Sequence, residues 1–488
     1  MNKEPLSRKL IFGIFYLLSS SLTTLGINVI IVGFVARSLG VENFGLYSAI
    51  LSFIGLFQFL SDFGLNKTLL KFGSTDIDKA RGSFGNALIL KSILVIPTLL
   101  LLTLLGYCAG YRNEQIAILE FFAISLVLDS YGTVFSSIRR ILGNFKLIAF
   151  FRVLRTIINL IITIVAITLN NSVSSLAIAN AMLSFIVFII SLINTLLILK
   201  PTVQLSLIKE FFKDSIIFSF NDFFLNIYGK ISTVLLSFLS DLHSVGIYSA
   251  AVRFTRIANL LPNQVKFALL PTMYRMLEEQ RTDEQAIDSQ SSKKVFTTLL
   301  KYMVILATPL VVSIYFFSDF FIHLIFGKKY DLSIPLVQLF SLFIYLRFLE
   351  APFSLFYIGL HKHKNMVYFQ GITCVLNIVL NLILIPKYSV YGACYATIFS
   401  ESVSILMLIV LGRKYLIWGV MDVLIILMKP LIAIFISLLI TYFILNKANI
   451  LIQVLLLLII YSGFIFLTKT LNTEDITFFK KIFALKKK

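Results

Sequence analysis

The sequence predicts an all-α integral membrane protein with about fourteen transmembrane helices, and three observations lead to this fold class. Of the 488 residues, 58% are hydrophobic and only 14% are charged, whereas a soluble domain carries about 25% charged residues. Mean hydropathy is +0.93. Long apolar runs alternate with short polar loops and proline is sparse, so helices rather than barrel strands are expected to span the bilayer.

The individual spans follow from the length of each apolar run, because a helix that crosses the bilayer needs about 20 apolar residues. The weakest span is the thirteenth, which Lys429 and Pro430 interrupt, and residues 413–428 have the alternative of lying on the membrane surface. The predicted spans are 10–35, 43–65, 84–108, 115–135, 147–169, 174–199, 214–240, 244–270, 294–317, 333–358, 365–386, 389–411, 424–446 and 450–468.

The net charge of +19 is distributed among alternate loops. Arg139, Arg140 and Lys146 follow the fourth span, whereas the loops on the opposite side of the first six spans hold only Arg37 and Arg112. This bias follows the positive-inside rule and places both termini in the cytoplasm. The basic excess therefore needs no nucleic acid as a partner, and membrane lipids are the expected surroundings.

An internal repeat divides the predicted spans into two halves of six. The segment 45–49, GLYSA, is echoed by 246–250, GIYSA, and further along the chain Asn159 aligns with Asn377. Both copies begin on the cytoplasmic side, so the repeat is parallel, with its pseudo-axis along the membrane normal. The predicted domains are an N-terminal six-helix bundle at 1–200, a C-terminal six-helix bundle at 201–412, and two extra helices with a basic cytoplasmic tail at 413–488.

The stretch from Asp214 to Pro271 carries polar side chains along one face of each of two otherwise apolar helices. Charge in the bilayer costs several kcal/mol, so these faces are expected to line protein or a water-filled cavity between the two halves. Basic groups predominate there, which indicates an anionic guest, and arginine binds phosphate through two hydrogen bonds at once. The predicted cationic substrate-binding residues are Lys230, Arg253, Arg256 and Arg347.

Acidic and amide side chains within the spans leave several roles open. The acids either balance the basic groups or carry a coupling proton or sodium ion, and Arg347 has the simpler alternative of pairing with Glu350 one helical turn away. The amides either contact sugar hydroxyls or hold helices together. The acids are Asp62, Asp129, Asp222, Glu350 and Glu401, and the amides are Asn226, Asn259, Asn263 and Asn377.

Signatures of enzymes and of bound cofactors are missing from the sequence. The four histidines lie in loops or at span ends, and the sequence has neither a glycine-rich phosphate loop after a strand nor paired carboxylates on an exposed loop. We therefore expect no catalytic residues, no metal site and no cofactor.

Several motifs taken together resemble the polysaccharide flippases of the Wzx type. Residues 35–47, VARSLGVENFGLY, resemble the first-loop signature of that family, and 62–65, DFGL, are similar to the end of its second helix. Residues 245–251, VGIYSAA, look like the repeat copy of the first motif. Residues 377–386, NIVLNLILIP, with the Tyr-Gly-Ala at 391–393, resemble the segment joining its eleventh and twelfth helices.

This resemblance implies membership of the multidrug/oligosaccharidyl-lipid/polysaccharide exporter superfamily. It further implies an alternating-access transporter in a bacterial cytoplasmic membrane, whose cargo is an undecaprenyl-diphosphate-linked oligosaccharide for O-antigen, capsule or a similar polymer. A polysaccharide polymerase and a chain-length regulator are implied partners. Alternatives are a cation-coupled multidrug antiporter or a flippase for lipid II or a teichoic acid precursor, although the first two helices hold only Arg37 near their outer end, which disfavours lipid II.

Overall fold

The computed structural model describes residues 6–74, 76–266, 289–359, 363–412, 420–445, 450–468 and 470, and within them regular structure is helical throughout. Contacts divide the chain into two compact units, Met1–Ser249 and Ala250–Lys488. The all-α membrane fold is therefore confirmed. The domain division at residues 200 and 412 rests on the repeat and stays a prediction.

The first unit contains eight helices and the start of a ninth. Its major packing pairs are α5 with α7, α1 with α6, and α4 with α5. The helices are α1 (Leu6–Leu56), α2 (Gln58–Asp62), α3 (Leu65–Gly73), α4 (Ile77–Cys108), α5 (Asn113–Ile141), α6 (Phe145–Leu169), α7 (Val173–Ile198), α8 (Leu205–Leu239) and α9 (Leu242–Ala258), which continues into the second unit.

Among the described residues, the second unit contains the end of α9, helical residues 260–266 and six further helices. The two last helices pack against α10 through a cluster that includes Tyr461, whose hydroxyl donates to the Ile305 carbonyl oxygen at 2.9 Å. The helices are α10 (Ser289–Phe316), α11 (Ser318–Ile325), α12 (Ile334–Gly359), α13 (His363–Gly412), α14 (Val420–Leu445) and α15 (Ile450–Leu467), with a 3-10 turn at Lys328–Ser333.

Where the structure describes them, the predicted spans coincide with helices, although the boundaries between spans differ; residues 267–270 of the eighth span lie outside the described residues. The first two spans form α1, which bends at Gly40, where the φ of 75° favours glycine. The prediction for the second span was wrong in one respect, because the helix is not continuous to residue 65: it ends at Leu56, and Phe63 and Gly64 both adopt left-handed backbone. Spans eleven and twelve likewise form α13, bent at Ser389.

Length and composition identify eight helices among the described residues that are long and apolar enough to cross a membrane, two of them bent pairs. Three shorter apolar helices lie at Phe223–Leu239, Ile425–Thr441 and Ile452–Leu467. The number of fourteen crossings stays a prediction.

Two glycines of the repeated motif bring α1 and α9 into backbone contact. A Cβ on Gly45 would lie 1.9 Å from the carbonyl oxygen of Leu242, and one on Gly246 would lie 2.1 Å from that of Val41. Gly246 follows Gly45 by 201 residues, and Leu242 follows Val41 by the same 201. The contact is therefore reciprocal between the two motif copies, and only glycine permits so close a helix approach.

Asp241 caps the start of α9. Its Oδ1 accepts a hydrogen bond from the Ser244 backbone N–H at 2.7 Å, and its Oδ2 accepts one from the Ser244 hydroxyl at 3.0 Å. The backbone hydrogen bond is the main reason that the pKa of Asp241 lies below its ordinary value. The ionised carboxylate is the form that satisfies the free N–H of the first helical turn.

Replacing Asp241 by asparagine tests this cap through pH. The folded-state pKa lies below the unfolded value of about 3.9, so the carboxylate contributes stability above that pH and loses it as the pH falls through the folded value. We expect wild type to melt above Asp241→Asn at neutral pH, and the difference to disappear as the pH falls through the folded-state pKa of Asp241. Asp241→Ala should cost about 1 kcal/mol at neutral pH. Melting midpoints in detergent measure both, and a pH-independent difference would contradict the assignment.

Candidate functional site

Asp62, the last residue of α2, forms an ion pair with a buried lysine. Lys91 Nζ of α4 lies 3.0 Å from Asp62 Oδ1 and donates to the Ser130 carbonyl oxygen at 2.6 Å. The Lys91 side chain is fully buried, whereas that of Asp62 is 25% exposed. Asn66 donates to Asp62 and, at 2.5 Å, to the Thr133 hydroxyl. A coupling role for Asp62 stays a prediction, and these contacts support the structural alternative.

Asp129, in the middle of α5, pairs with Arg155 of α6. Both side chains are about one third exposed, with 33% for Asp129 and 35% for Arg155, although both lie inside apolar spanning helices. A charged pair so placed requires water or a polar cavity beside it. Sequence reasoning did not place Arg155 in a site although a signal was available, because polar residues recur along one face of α6 at spacings of three and four: Arg152, Arg155, Asn159 and Thr163.

Arg152 and Arg139 are two further basic residues of the first unit that sequence reasoning did not place in a site. The half-buried Arg152 donates from Nη1 to the Ser21 hydroxyl of α1 at 2.8 Å. The buried Arg139 donates to both oxygens of Ser191 of α7 and lies 4.1 Å over the ring of Phe151. Among the described residues, neither guanidinium has a carboxylate within 4 Å.

Lys230 lies on α8 as predicted and is half-buried. Its aliphatic chain packs on α1, where a Cβ on Gly55 would lie 3.0 Å from Lys230 Cε. Asn226 is half-buried one turn earlier, and the side chain of Asp222 lies outside the described part of α8.

The polar face predicted on α8 begins with Ser215 and Ser219, and this part of it faces protein. Ser215 and Ser219 are buried, and the Ser215 hydroxyl bonds to that of Thr68 of α3 at 3.0 Å. These two serines therefore contribute to the packing of α8 against its neighbours rather than to a cavity.

The predicted residues on and after α9 belong to the second unit. Arg253 is half-buried and Arg256 is exposed on α9, and beyond it Asn259 is half-buried and Asn263 is exposed. Lys230 belongs to the first unit. The convergence of Lys230 with the two arginines on one guest therefore stays a prediction.

Arg347 of α12 bridges two carboxylates. Its Nη1 lies 3.0 Å from Glu401 Oε1 of α13 and 3.5 Å from Glu350 Oε2, and Lys266 Nζ lies 3.8 Å from the same Glu350 oxygen. Glu401 is 1% exposed and Glu350 7%, whereas the Arg347 side chain is 25% exposed. The predicted Arg347–Glu350 pairing is present, but Glu401 is the nearer partner. Among the described residues, these ion pairs thus join two positive and two negative side chains.

Asn377 is buried inside the second unit, with 1% of its surface exposed. It donates to the Ser400 hydroxyl at 3.0 Å and accepts from Asn381 at 3.0 Å. The bond to Ser400 joins the two halves of α13 and supports the helix-holding alternative, while the sugar contact of Asn377 stays a prediction.

A small polar cavity of about 20 Å³ lies inside the first unit, between α1, α6 and α7. Tyr47, Asn159, Thr163 and Asn180 supply its polar lining. This volume is enough for about one water molecule. Within the described ranges, no group of three or more histidine, cysteine or acidic residues is arranged to hold a metal ion.

The sequence is similar to one protein family and to two named membrane proteins. A family model described as "Polysaccharide biosynthesis protein" matches residues 34–335. The chain is 22% identical over 387 residues to the "Probable low-salt glycan biosynthesis flippase Agl15" of Haloferax volcanii, covering 78% of each chain. It is 25% identical over 394 residues to the "Uncharacterized membrane protein MJ1068" of Methanocaldococcus jannaschii, covering 73% of this chain and 74% of that one.

Solved structures share the fold. A lipid II flippase MurJ in an inward closed conformation superposes with a TM-score of 0.75 at 17% identity, over 93% of this chain and 98% of that one. An inward-facing multidrug resistance MATE family transporter of the MOP superfamily gives a TM-score of 0.65 at 16% identity, over 80% and 94% of the two chains. The exporter fold implied by the sequence motifs is thereby confirmed.

Proposed function

The chain belongs to the family of polysaccharide biosynthesis proteins, and on this premise we propose that it is a flippase for a lipid-linked sugar. The cargo is an undecaprenyl-diphosphate-linked oligosaccharide repeat unit, moved by alternating access from the cytoplasmic to the outer leaflet of a bacterial cytoplasmic membrane. Both termini lie in the cytoplasm, and the product feeds surface polysaccharide assembly by a polymerase and a chain-length regulator. The protein transports and does not catalyse a covalent reaction.

The observation that carries this proposal is the placement of partly exposed charges within apolar helices. Arg155, Asp129 and Arg347 are each between a quarter and about a third exposed, at positions inside spanning segments. Such side chains need a hydrated surface, and a diphosphate head group needs the same surface to cross hydrocarbon. The Haloferax relative, named as a probable glycan biosynthesis flippase, supports a glycan as the cargo.

We assign the role of each predicted site residue from the charge of its side chain. Lys230, Arg253, Arg256 and Arg347 hold the diphosphate, and Asn226, Asn259 and Asn263 contact the sugar. Glu350 and Glu401 neutralise Arg347 until the cargo competes for it, and a proton or sodium ion on one of the acids couples the movement.

Reconstitution tests this function directly. The full chain is placed in vesicles with a fluorescent undecaprenyl-diphosphate sugar, and access of a membrane-impermeant quencher reports the change of leaflet. We expect flipping to fall tenfold or more in Lys230→Ala, Arg253→Ala and Arg256→Ala, since a charge-assisted hydrogen bond contributes about 1.5–3 kcal/mol. Arg81→Gln is the control, because Arg81 pairs with Asp78 at the exposed start of α4. Unchanged flipping in all three variants would reject their assignment.

A multidrug antiporter is the second candidate, favoured by the likeness to MATE family transporters. Its cationic drugs require acidic side chains without basic partners, whereas four of the predicted acids each have a basic partner within 4 Å: Asp62, Asp129, Glu350 and Glu401. A drug-susceptibility screen of cells with and without the protein separates the two. A lipid II or teichoic acid precursor tests the remaining cargo alternatives in the same vesicles.

A further inference from the structure

Arginines exceed carboxylates where α5 ends and α6 begins. Arg139 and Arg140 close α5, and Arg152 and Arg155 follow on α6. Among the described residues, Asp129 is the carboxylate paired with this group, and it is paired with Arg155. Arg152 lies seven residues into α6, which is about 10 Å along the helix and within reach of the bilayer interior. Within the described ranges, three positive charges are thus left without a paired carboxylate in a region where counter-ions are scarce.

These three differ in how much hydrogen-bonding capacity remains. Arg139 is buried, and its Nη2 already donates to Ser191 and Thr195. Arg152 is half-buried and uses one donor on the Ser21 hydroxyl, of the five N–H donors that a guanidinium has. Arg140 is exposed, and its positive charge acts unfavourably on Arg152. Arg140 and Arg152 therefore retain most of their donors and repel each other, which is the electrostatic condition that an anion relieves.

The surroundings of Arg152 identify the kind of anion. Ser21, which bonds to Arg152, lies one helical turn after Leu18 on α1, and Leu18 is 39% exposed. A ligand at Arg152 is thus next to an apolar outer surface, as the head group of a lipid would be. Two guanidinium groups match two phosphates, because each planar fork binds one phosphate through two hydrogen bonds.

We propose that Arg140 and Arg152, with the Ser21 hydroxyl, bind the diphosphate of a polyprenyl carrier on the first unit, at the membrane face where α5 ends. The carrier tail lies along the exposed apolar side chains of α1, starting at Leu18. This inference rests on the proposed function, and it adds a docking site separate from the Lys230, Arg253 and Arg256 set. At this site Asp129 neutralises the charge of Arg155, so the diphosphate is bound by Arg152 and Arg140.

Native mass spectrometry of the full chain in detergent tests the site with three probes: undecaprenyl diphosphate without sugar, undecaprenol, and dioleoyl phosphatidylglycerol. We expect wild type to prefer the diphosphate, and Arg152→Gln to weaken diphosphate binding tenfold or more. Arg140→Gln is expected to weaken it several-fold, and Arg152→Lys to fall between wild type and Arg152→Gln. Arg81→Gln is the control, because it removes an exposed arginine that already has an acidic partner.

Two results would overturn the site: diphosphate affinity unchanged in both Arg152→Gln and Arg140→Gln, or an equal loss for phosphatidylglycerol, which would mark a general phospholipid contact. Because Arg140 is exposed, Arg140→Gln still tests the site if Arg152→Gln does not fold. Wild-type flipping in vesicles is measured separately, so a failed docking site with intact flipping leaves the proposed function standing.

Discussion

Replacing Gly45 or Gly246 by alanine is expected to destabilise the chain by about 3 kcal/mol, the upper end of the usual range for overpacking. In each case the new Cβ would meet a backbone carbonyl oxygen, at 1.9 Å for Gly45 and 2.1 Å for Gly246. A flexible side chain moves aside cheaply, but a carbonyl moves only with its helix. The result is measured as a lower melting midpoint in detergent and a smaller monodisperse fraction after purification.

Two other helical glycines provide matched controls. Gly26 of α1 and Gly229 of α8 have open space where a Cβ would stand. Alanine there should be neutral or stabilise by up to about 1 kcal/mol, because alanine is the better helix former. Gly45→Ala and Gly246→Ala should also be less than additive when combined, since one displacement of α1 from α9 relieves both clashes. A Gly45→Ala protein as stable as Gly229→Ala would contradict the close contact.

The helices could be predicted from the sequence because hydropathy and helix length fix them. What hydropathy does not specify is where a span breaks. Leu56–Leu65 is apolar enough to continue as one helix, yet Phe63 and Gly64 turn left-handed and place Asp62 beside Lys91. The break at Gly40 falls instead in a polar segment, where the sequence does indicate a turn.

For the charged residues, contacts within one helix could be predicted from the sequence, whereas contacts between helices could not. The pairing of Arg347 with Glu350 follows from helical spacing, whereas its nearer contact, Glu401, is 54 residues away in the chain and depends on the packing of α12 on α13. Periodicity identifies the polar face of α8, but it does not show that the Ser215 hydroxyl is hydrogen-bonded to the Thr68 hydroxyl of α3. Arg152 and Arg155 begin a polar row on α6 that continues at Asn159, so periodicity indicates a polar face there, but it does not show that Arg155 pairs with Asp129 of α5.

Removing one partner of the Lys91–Asp62 pair is the second change from which we expect a large effect. Lys91→Met leaves the Asp62 carboxylate without its counter-ion, and Asp62→Asn leaves the fully buried ammonium with the Ser130 carbonyl oxygen as its main acceptor. Breaking a buried pair in this way costs about 3–5 kcal/mol. Each single variant should therefore melt well below wild type in detergent, and the Lys91→Met/Asp62→Asn double variant should recover much of the loss.

An exposed pair in the same unit is the control for this effect. Lys71 pairs with Asp214 at 2.5 Å, but the Lys71 side chain is 58% exposed, so Lys71→Met should cost less than about 1 kcal/mol. The comparison also decides what Asp62 does, because a carboxylate neutralised by a fixed lysine cannot readily take up a coupling ion. One outcome is that Lys91→Met melts like Lys71→Met and its flipping becomes dependent on proton or sodium concentration. Asp62 would then be a coupling site that Lys91 neutralises in the wild type. If Lys91→Met instead loses stability and the double variant regains it, the pair serves to hold α2 against α4, and coupling must be sought among the other acids.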